Sequence, residues 1–341
     1  MKRILLMYVL LLVNQFVFAQ KVKDFFYVEP EAKNLPVFVR GNLNNETILL
    51  FVQGGTAENG IDFGRSDYPR WKTSLETKIA IAYFDQRGLN KSVKKIDTTM
   101  INSTQVAKDI IAIAKELQQR YQANIYLFGH STGGQDVLDC LAKFPKETQF
   151  IKAGIAFNAP ITSDFSPERY TIYRPQYLKN IAADFISRDQ HTEYWKEALD
   201  WMTKTDSIHN PDISKRWNTY VDAAFTETKR KTGLGMALKV IFSRPYNPIK
   251  YLNEKDNKLV GDILWEAQRN VNRWKLIPQI EHRVLLLTGK FDAIAVPEEL
   301  MEAQKLMKKV EVIILPNCGH RSFLDQPELF ENEVLKFIGI N

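Results

Sequence analysis

The sequence predicts an α/β fold: a mostly parallel sheet with helices on both faces, interrupted by an inserted helical region. Three observations predict it. Strand-length apolar segments alternate with amphipathic helical stretches up to residue 160 and again from residue 282. Between 161 and 281 the strand signals vanish, and five of the six tryptophans (Trp195, Trp201, Trp217, Trp265 and Trp274) fall there. That stretch is too long to be a loop. Finally, a short apolar strand at 125–128 runs through Gly129-His130-Ser131-Thr132-Gly133-Gly134 into a helix at 135–143.

In chain order, the first residues read as a secretory signal. Lys2 and Arg3 precede an apolar run at 4–13, and Val17-Phe18-Ala19 offers a cleavage site before Gln20. The run is short for a membrane span. Residues 1–19 are therefore expected to be a signal peptide, and the protein to be exported to the periplasm or beyond, with no stable membrane insertion afterwards. Strands follow at 25–28 and 37–40, with a proline-containing break between them. The continuous apolar strand 47–52 ends in Gln53-Gly54-Gly55-Thr56, and strand 78–84 ends in Asp85-Gln86-Arg87-Gly88. Ser103 or Thr104 is expected to cap a long helix with Val106, Ile110, Ile113, Ala114 and Leu117 on its apolar side. After the strand at 125–128 and the helix at 135–143 comes a strand at 151–157. Past the helical insertion lie a strand at 284–287, a helix at 297–308, a strand at 310–315 and a final helix at 327–337. The domain reading is a core of 20–160 plus 282–341, with 161–281 inserted.

Composition narrows the function classes. With 341 residues, 45% of them hydrophobic, the chain can bury a large core. The formal charge of +6 is spread out, and Lys229-Arg230-Lys231, the densest basic patch, reads as a solvated face. No nucleic-acid motif is present. Cys140 and Cys318 read as small buried fillers, although an exported protein could pair them. The five histidines lack metal-ligand spacing, and nothing in the sequence calls for a metal or other cofactor.

The chemistry concentrates at strand ends, where open parallel sheets bind ligands. Gly129-His130-Ser131-Thr132-Gly133 matches G-x-S-x-G, a sharp strand-to-helix turn that lifts a serine hydroxyl above the sheet. Three fixed residues alone would match by chance in about one chain of this length in ten. Two later segments make the match specific. Asp292 follows the first strand after the insertion and His320 follows the last one, giving the order Ser, Asp, His. Ser131 would be the nucleophile, His320 its base and Asp292 the group that orients His320. The Thr132 and Gly55 N–H groups would form an oxyanion hole. His130 is expected to point away from the site.

These residues resemble the α/β-hydrolase superfamily with a helical cap. Gly289-Lys290-Phe291-Asp292 followed by Val296-Pro297 is similar to that superfamily's acid loop, and Gly319-His320 followed by Pro327-Glu328 to its histidine loop. Within it, Asp85-Gln86-Arg87-Gly88 followed by Ser92 resembles a stretch of the proline iminopeptidase group, with Gly54-Gly55 where that group's oxyanion loop falls. Gln53, Thr56 and Asn90 depart from its pattern. The resemblance implies a serine hydrolase taking short peptides with a small or proline N-terminal residue; the signal-like segment adds that it is exported. A carboxylesterase or acyltransferase for small apolar esters is the alternative, and a binding protein on a hydrolase scaffold is the reading of another class. The partner expected is a small-molecule or short-peptide substrate; the oligomeric state is left open.

Aromatic residues in the insertion, Trp195 among them, form either its own core or the roof of an apolar substrate pocket. Glu193, Glu197 and Asp200 share one helical face. They form either a solvated face or a cluster that holds a substrate's free α-amine.

Overall fold

The computed structural model describes residues 21–32, 34–55, 59–89, 97–226 and 255–340. The signal-like segment 1–19, Thr56, Asn90, Ser92 and the basic patch 229–231 lie outside the described residues.

The sheet has eight strands: β1 (Lys21–Val28), β2 (Leu35–Asn42), β3 (Thr47–Val52), β4 (Ala80–Phe84), β5 (Asn124–His130), β6 (Ala153–Phe157), β7 (Arg283–Gly289) and β8 (Val310–Leu315). Their spatial order is β1-β2-β4-β3-β5-β6-β7-β8. The β1–β2 and β2–β4 pairs are antiparallel and every other pair is parallel. The central strands are apolar throughout because both faces are covered. Leu50, Leu127, Ala156 and Leu286 face one layer, where α2 (Ser103–Tyr121), α3 (Thr132–Lys143) and α8 (Pro297–Leu306) pack. Phe51, Phe128, Phe157 and Leu287 face the other, against α1 (Gly60–Ser66), Trp71 and α9 (Pro327–Ile338).

The predicted elements are present with shifted ends. β1 begins at Lys21, and the break before β2 is the 3-10 turn Pro30–Ala32, so Pro36 lies inside β2. The cap of α2 is Asn102, not Ser103 or Thr104: its side chain accepts a 2.9 Å hydrogen bond from the Gln105 N–H. An asparagine one residue before Ser103 satisfies an orphan donor of the first turn in its place. The apolar side of α2 is buried as its spacing predicts.

Between β6 and β7 the described residues contain no strand. They form α4 (Arg174–Ser187), α5 (Thr192–Thr203), α6 (Pro211–Thr226) and α7 (Lys255–Ala267). Helices α4 to α6 share a cluster built on Tyr177, Ile181, Phe185, Trp195, Met202 and Trp217, and that cluster includes Phe291 and Val296 from the loop after β7. Lys290 in the same loop is ion-paired with Asp184 of α4 at 2.6 Å. No helix among the described residues is long and apolar enough to cross a membrane.

Candidate active site

Ser131 stands between β5 and α3 with φ 51° and ψ −122°, a region a non-glycine residue occupies only when its surroundings hold it there. The surroundings are tight. A Cβ on Gly129 would lie 2.3 Å from the Gly133 carbonyl oxygen, and one on Gly133 would lie 2.1 Å from that of Val52. The Ser131 N–H donates to the Phe157 carbonyl at 3.0 Å, tying the turn to β6. The hydroxyl therefore projects at the carboxyl end of a central strand.

Asp292 and His320 arrive from the ends of β7 and β8. His320 Nε2 lies 3.1 Å from Ser131 Oγ, and His320 Nδ1 lies 3.0 Å from both oxygens of Asp292. A carboxylate facing Nδ1 fixes the proton there, so Nε2 accepts from the serine hydroxyl. Asp292 is fully buried while the His320 ring keeps some exposure, with 23% of its side-chain surface open.

The carboxylate of Asp292 is saturated with donors. Its Oδ1 accepts from the Ile294 and Ala295 N–H groups, both at 2.9 Å. Its Oδ2 accepts from Asn158 Nδ2 at 2.9 Å, and Thr288 Oγ1 lies 3.0 Å away. Burial by itself pushes the Asp292 carboxyl up. The facing imidazole and these hydrogen bonds outweigh it and hold the group below the usual carboxylate range.

Asn158 does more than hold Asp292. Its Nδ2 also donates to the Gly319 carbonyl at 3.1 Å, and its Oδ1 accepts from Ser322 Oγ at 2.5 Å. One buried amide thus ties the acid loop to both sides of His320. Sequence reasoning missed it. The signal available was a polar residue directly after an apolar strand, at the sheet end where Ser131, Asp292 and His320 also fall.

His130 does not turn away from the site. Its ring packs against Phe157, Phe323 and His320, with centroids 5.2, 5.2 and 5.3 Å away. Its Nε2–H donates to the His320 carbonyl at 3.1 Å. Removal from water, with a smaller contribution from facing His320, lowers its pKa to about 3, so the ring is neutral.

Thr132 is the first residue of α3, a position whose N–H no carbonyl of its own helix can reach. Gly54 runs against the elbow so closely that a Cβ there would lie 3.1 Å from Ser131 Cβ, and Gly55 beside it has φ 75°.

The residues expected to contact substrate have other partners in the structure. Trp195 is fully buried and stacks on Phe185 with centroids 4.6 Å apart, so it belongs to the core of the helices. Glu193 is 89% exposed and pairs with Lys196. Glu197 is 64% exposed, bonded to Arg216 at 2.9 Å and to the Tyr220 hydroxyl at 3.1 Å. Asp200 pairs with Lys204. The cause is the amphipathicity of α5, which buries Trp195, Ala198 and Met202 and turns the three carboxylates to solvent.

The Asp85-Gln86-Arg87-Gly88 stretch is a brace. Asp85 accepts from the Ile61 N–H, and Arg87 makes a two-pronged bond to Asp109 of α2 at 2.9 and 2.6 Å. Gln105 Nε2 donates to the same carboxylate at 2.9 Å. Cys140 and Cys318 are both buried and unpaired.

A sheet of this order, with a serine elbow after β5 and the acid and histidine after β7 and β8, defines an α/β hydrolase. The alpha/beta hydrolase family model matches residues 55–333, and the chain belongs to that family. No curated protein matches the sequence significantly. Among solved structures, the proline iminopeptidase of Mycobacterium smegmatis is 14% identical, with a TM-score of 0.57 over 93% of this chain and 98% of that one. The esterase RhEst1 from Rhodococcus sp. ECU1013 is 18% identical, with a TM-score of 0.59 over 94% and 98%. The esterase EaEST from Exiguobacterium antarcticum is 16% identical, with a TM-score of 0.58 over 92% and 99%. These likenesses are of fold.

Proposed function

We propose that this protein is a serine hydrolase that cleaves a carboxylic ester through an acyl-enzyme on Ser131. The observation that carries the reading is the continuous contact from Ser131 Oγ to His320 Nε2 and from His320 Nδ1 to Asp292. Ser131 Oγ attacks the ester carbonyl carbon while His320 Nε2 takes its proton. The oxyanion meets the Thr132 and Gly55 N–H groups. Collapse expels the alcohol, which takes the proton from His320. Water then attacks the acyl group, again deprotonated by His320, and Ser131 leaves with its hydroxyl restored. Acid–base assistance of this kind supplies about 10²–10⁴-fold.

The ester reading is preferred over the aminopeptidase one because the carboxylates put forward to hold a free α-amine are solvated and already paired. The test is initial rates on p-nitrophenyl acyl esters and on aminoacyl-anilides, with Ser131→Ala run alongside. Ester turnover lost in Ser131→Ala supports the reading. Anilide turnover that needs a free α-amine would restore the aminopeptidase reading. Failure of a fluorophosphonate to label folded protein at Ser131 would sink both. Export, with removal of residues 1–19, is part of the same proposal and is checked by N-terminal sequencing of protein recovered outside the cytoplasm.

A further inference from the structure

We infer that His130 is a positioning residue that fixes the backbone of His320 and braces the Gly54 loop against the elbow; this rests on the serine hydrolase reading above. His130 touches three functional segments at once. It is the last residue of β5, directly before Ser131. Its Nε2–H donates to the main-chain carbonyl of His320 at 3.1 Å. Its Nδ1 faces Gly54 so closely that a Cβ on that glycine would lie 2.6 Å from it. The ring cannot swing out of this slot, because Phe157 and Phe323 flank it.

The chemistry explains why a phenylalanine would not serve as well. A carbonyl can only accept, so the neutral His130 ring must carry its proton on Nε2. Without that donor the His320 carbonyl would face only aromatic carbon in a partly enclosed site, and an unpaired polar group there is costly. The loop would then move to find water. The 3.1 Å approach of His320 Nε2 to Ser131 Oγ depends on where that loop sits. His130 acts through His320 and touches neither substrate nor a reacting atom.

The test compares His130→Phe, His130→Gln and His130→Asn. Glutamine places its amide nitrogen as many bonds from the main chain as histidine Nε2, whereas asparagine falls one bond short. With a p-nitrophenyl ester, kcat should fall about 10–100-fold in the Phe and Asn variants with KM nearly unchanged, since misplacement of about 1 Å costs about that much. The Gln variant should recover most of the loss. A second readout is independent of turnover: the downfield proton NMR signal of His320 Nδ1–H, sharp in wild type and Gln, should broaden in Phe and Asn. Wild-type kcat and a sharp signal in either Phe or Asn would overturn the inference. So would a Gln variant as impaired as Asn. If wild type shows no Ser131-dependent turnover, the hydrolase reading fails alone, and the NMR comparison still decides whether His130 holds His320.

Discussion

Asn158 and Asp292, 134 residues apart in the chain, meet through a 2.9 Å hydrogen bond from Asn158 Nδ2 to Asp292 Oδ2. Asn158 makes it from a left-handed backbone, φ 50°, with no exposed surface. Replacing it with alanine removes a donor from the carboxylate, orphans the Gly319 carbonyl and frees Ser322. The expected outcome for Asn158→Ala is a loss of about 1–3 kcal/mol in unfolding free energy. Denaturant titration measures it, and kcat/KM should fall as well.

Asp292→Asn keeps the shape of the acid but presents an amide to His320. Its NH₂ end would favour the tautomer with the proton on Nε2, which cannot accept from Ser131. We expect kcat/KM to drop by about 10⁴, the loss such a change has caused in another serine hydrolase. Unchanged kcat/KM would remove Asp292 from the mechanism.

Acid should destabilise the fold through His130. Its folded pKa of about 3 lies below the ordinary value of 6.5, so the unfolded chain takes up a proton first as pH falls. The contribution is complete above pH 6.5 and is lost as pH falls towards 3. Asp292, also held below its ordinary value, adds the same sign at lower pH. Between pH 7 and pH 4.5 the wild type should lose up to about 3 kcal/mol more than His130→Phe, measured by urea unfolding at each pH.

Arg87 separates a structural role from a substrate-binding one. Its bond to Asp109 is buried at both ends. Arg87→Ala leaves a buried carboxylate without its cation and should cost about 3–5 kcal/mol. At a temperature where the variant is folded, KM should match wild type. A raised KM with unchanged stability would reverse the assignment.

Glu193→Gln and Glu197→Gln remove solvent-exposed ion pairs, which contribute little to stability. Neither variant should change KM for esters or anilides beyond about twofold, nor shift Tm measurably. A selective loss on anilides with a free α-amine would return these residues to the substrate site.

Much of this architecture is legible in the sequence, for identifiable reasons. Two-sided burial makes the central strands apolar runs, and glycines that no larger residue can replace frame Ser131. The strand-end positions of Asp292 and His320 follow from the topology. What was not legible depends on contacts between distant segments. Asn158 reads as an ordinary loop asparagine until Asp292 is brought beside it. The direction of His130 was within reach: strand alternation puts it on the same face as Tyr126 and Phe128. Trp195, Ala198 and Met202 form a helical stripe that already places Glu193, Glu197 and Asp200 on the opposite side. Asp85–Gly88 reads in the sequence only as a family resemblance; that Arg87 pairs with Asp109 of α2 is a contact between distant segments that no local pattern announces.

The loop after β7 belongs to two neighbourhoods. Asp292 faces His320, while Phe291 and Val296 sit in the cluster of helices α4 to α6, with Lys290 paired to Asp184. The unit that helices α4 to α6 form with this loop is therefore discontinuous in sequence. A graft of residues 161–281 alone would sever that cluster and unseat Asp292. A graft that carries 290–296 along, keeping Asp292 in place, preserves the seam and moves the helices as one exchangeable cassette.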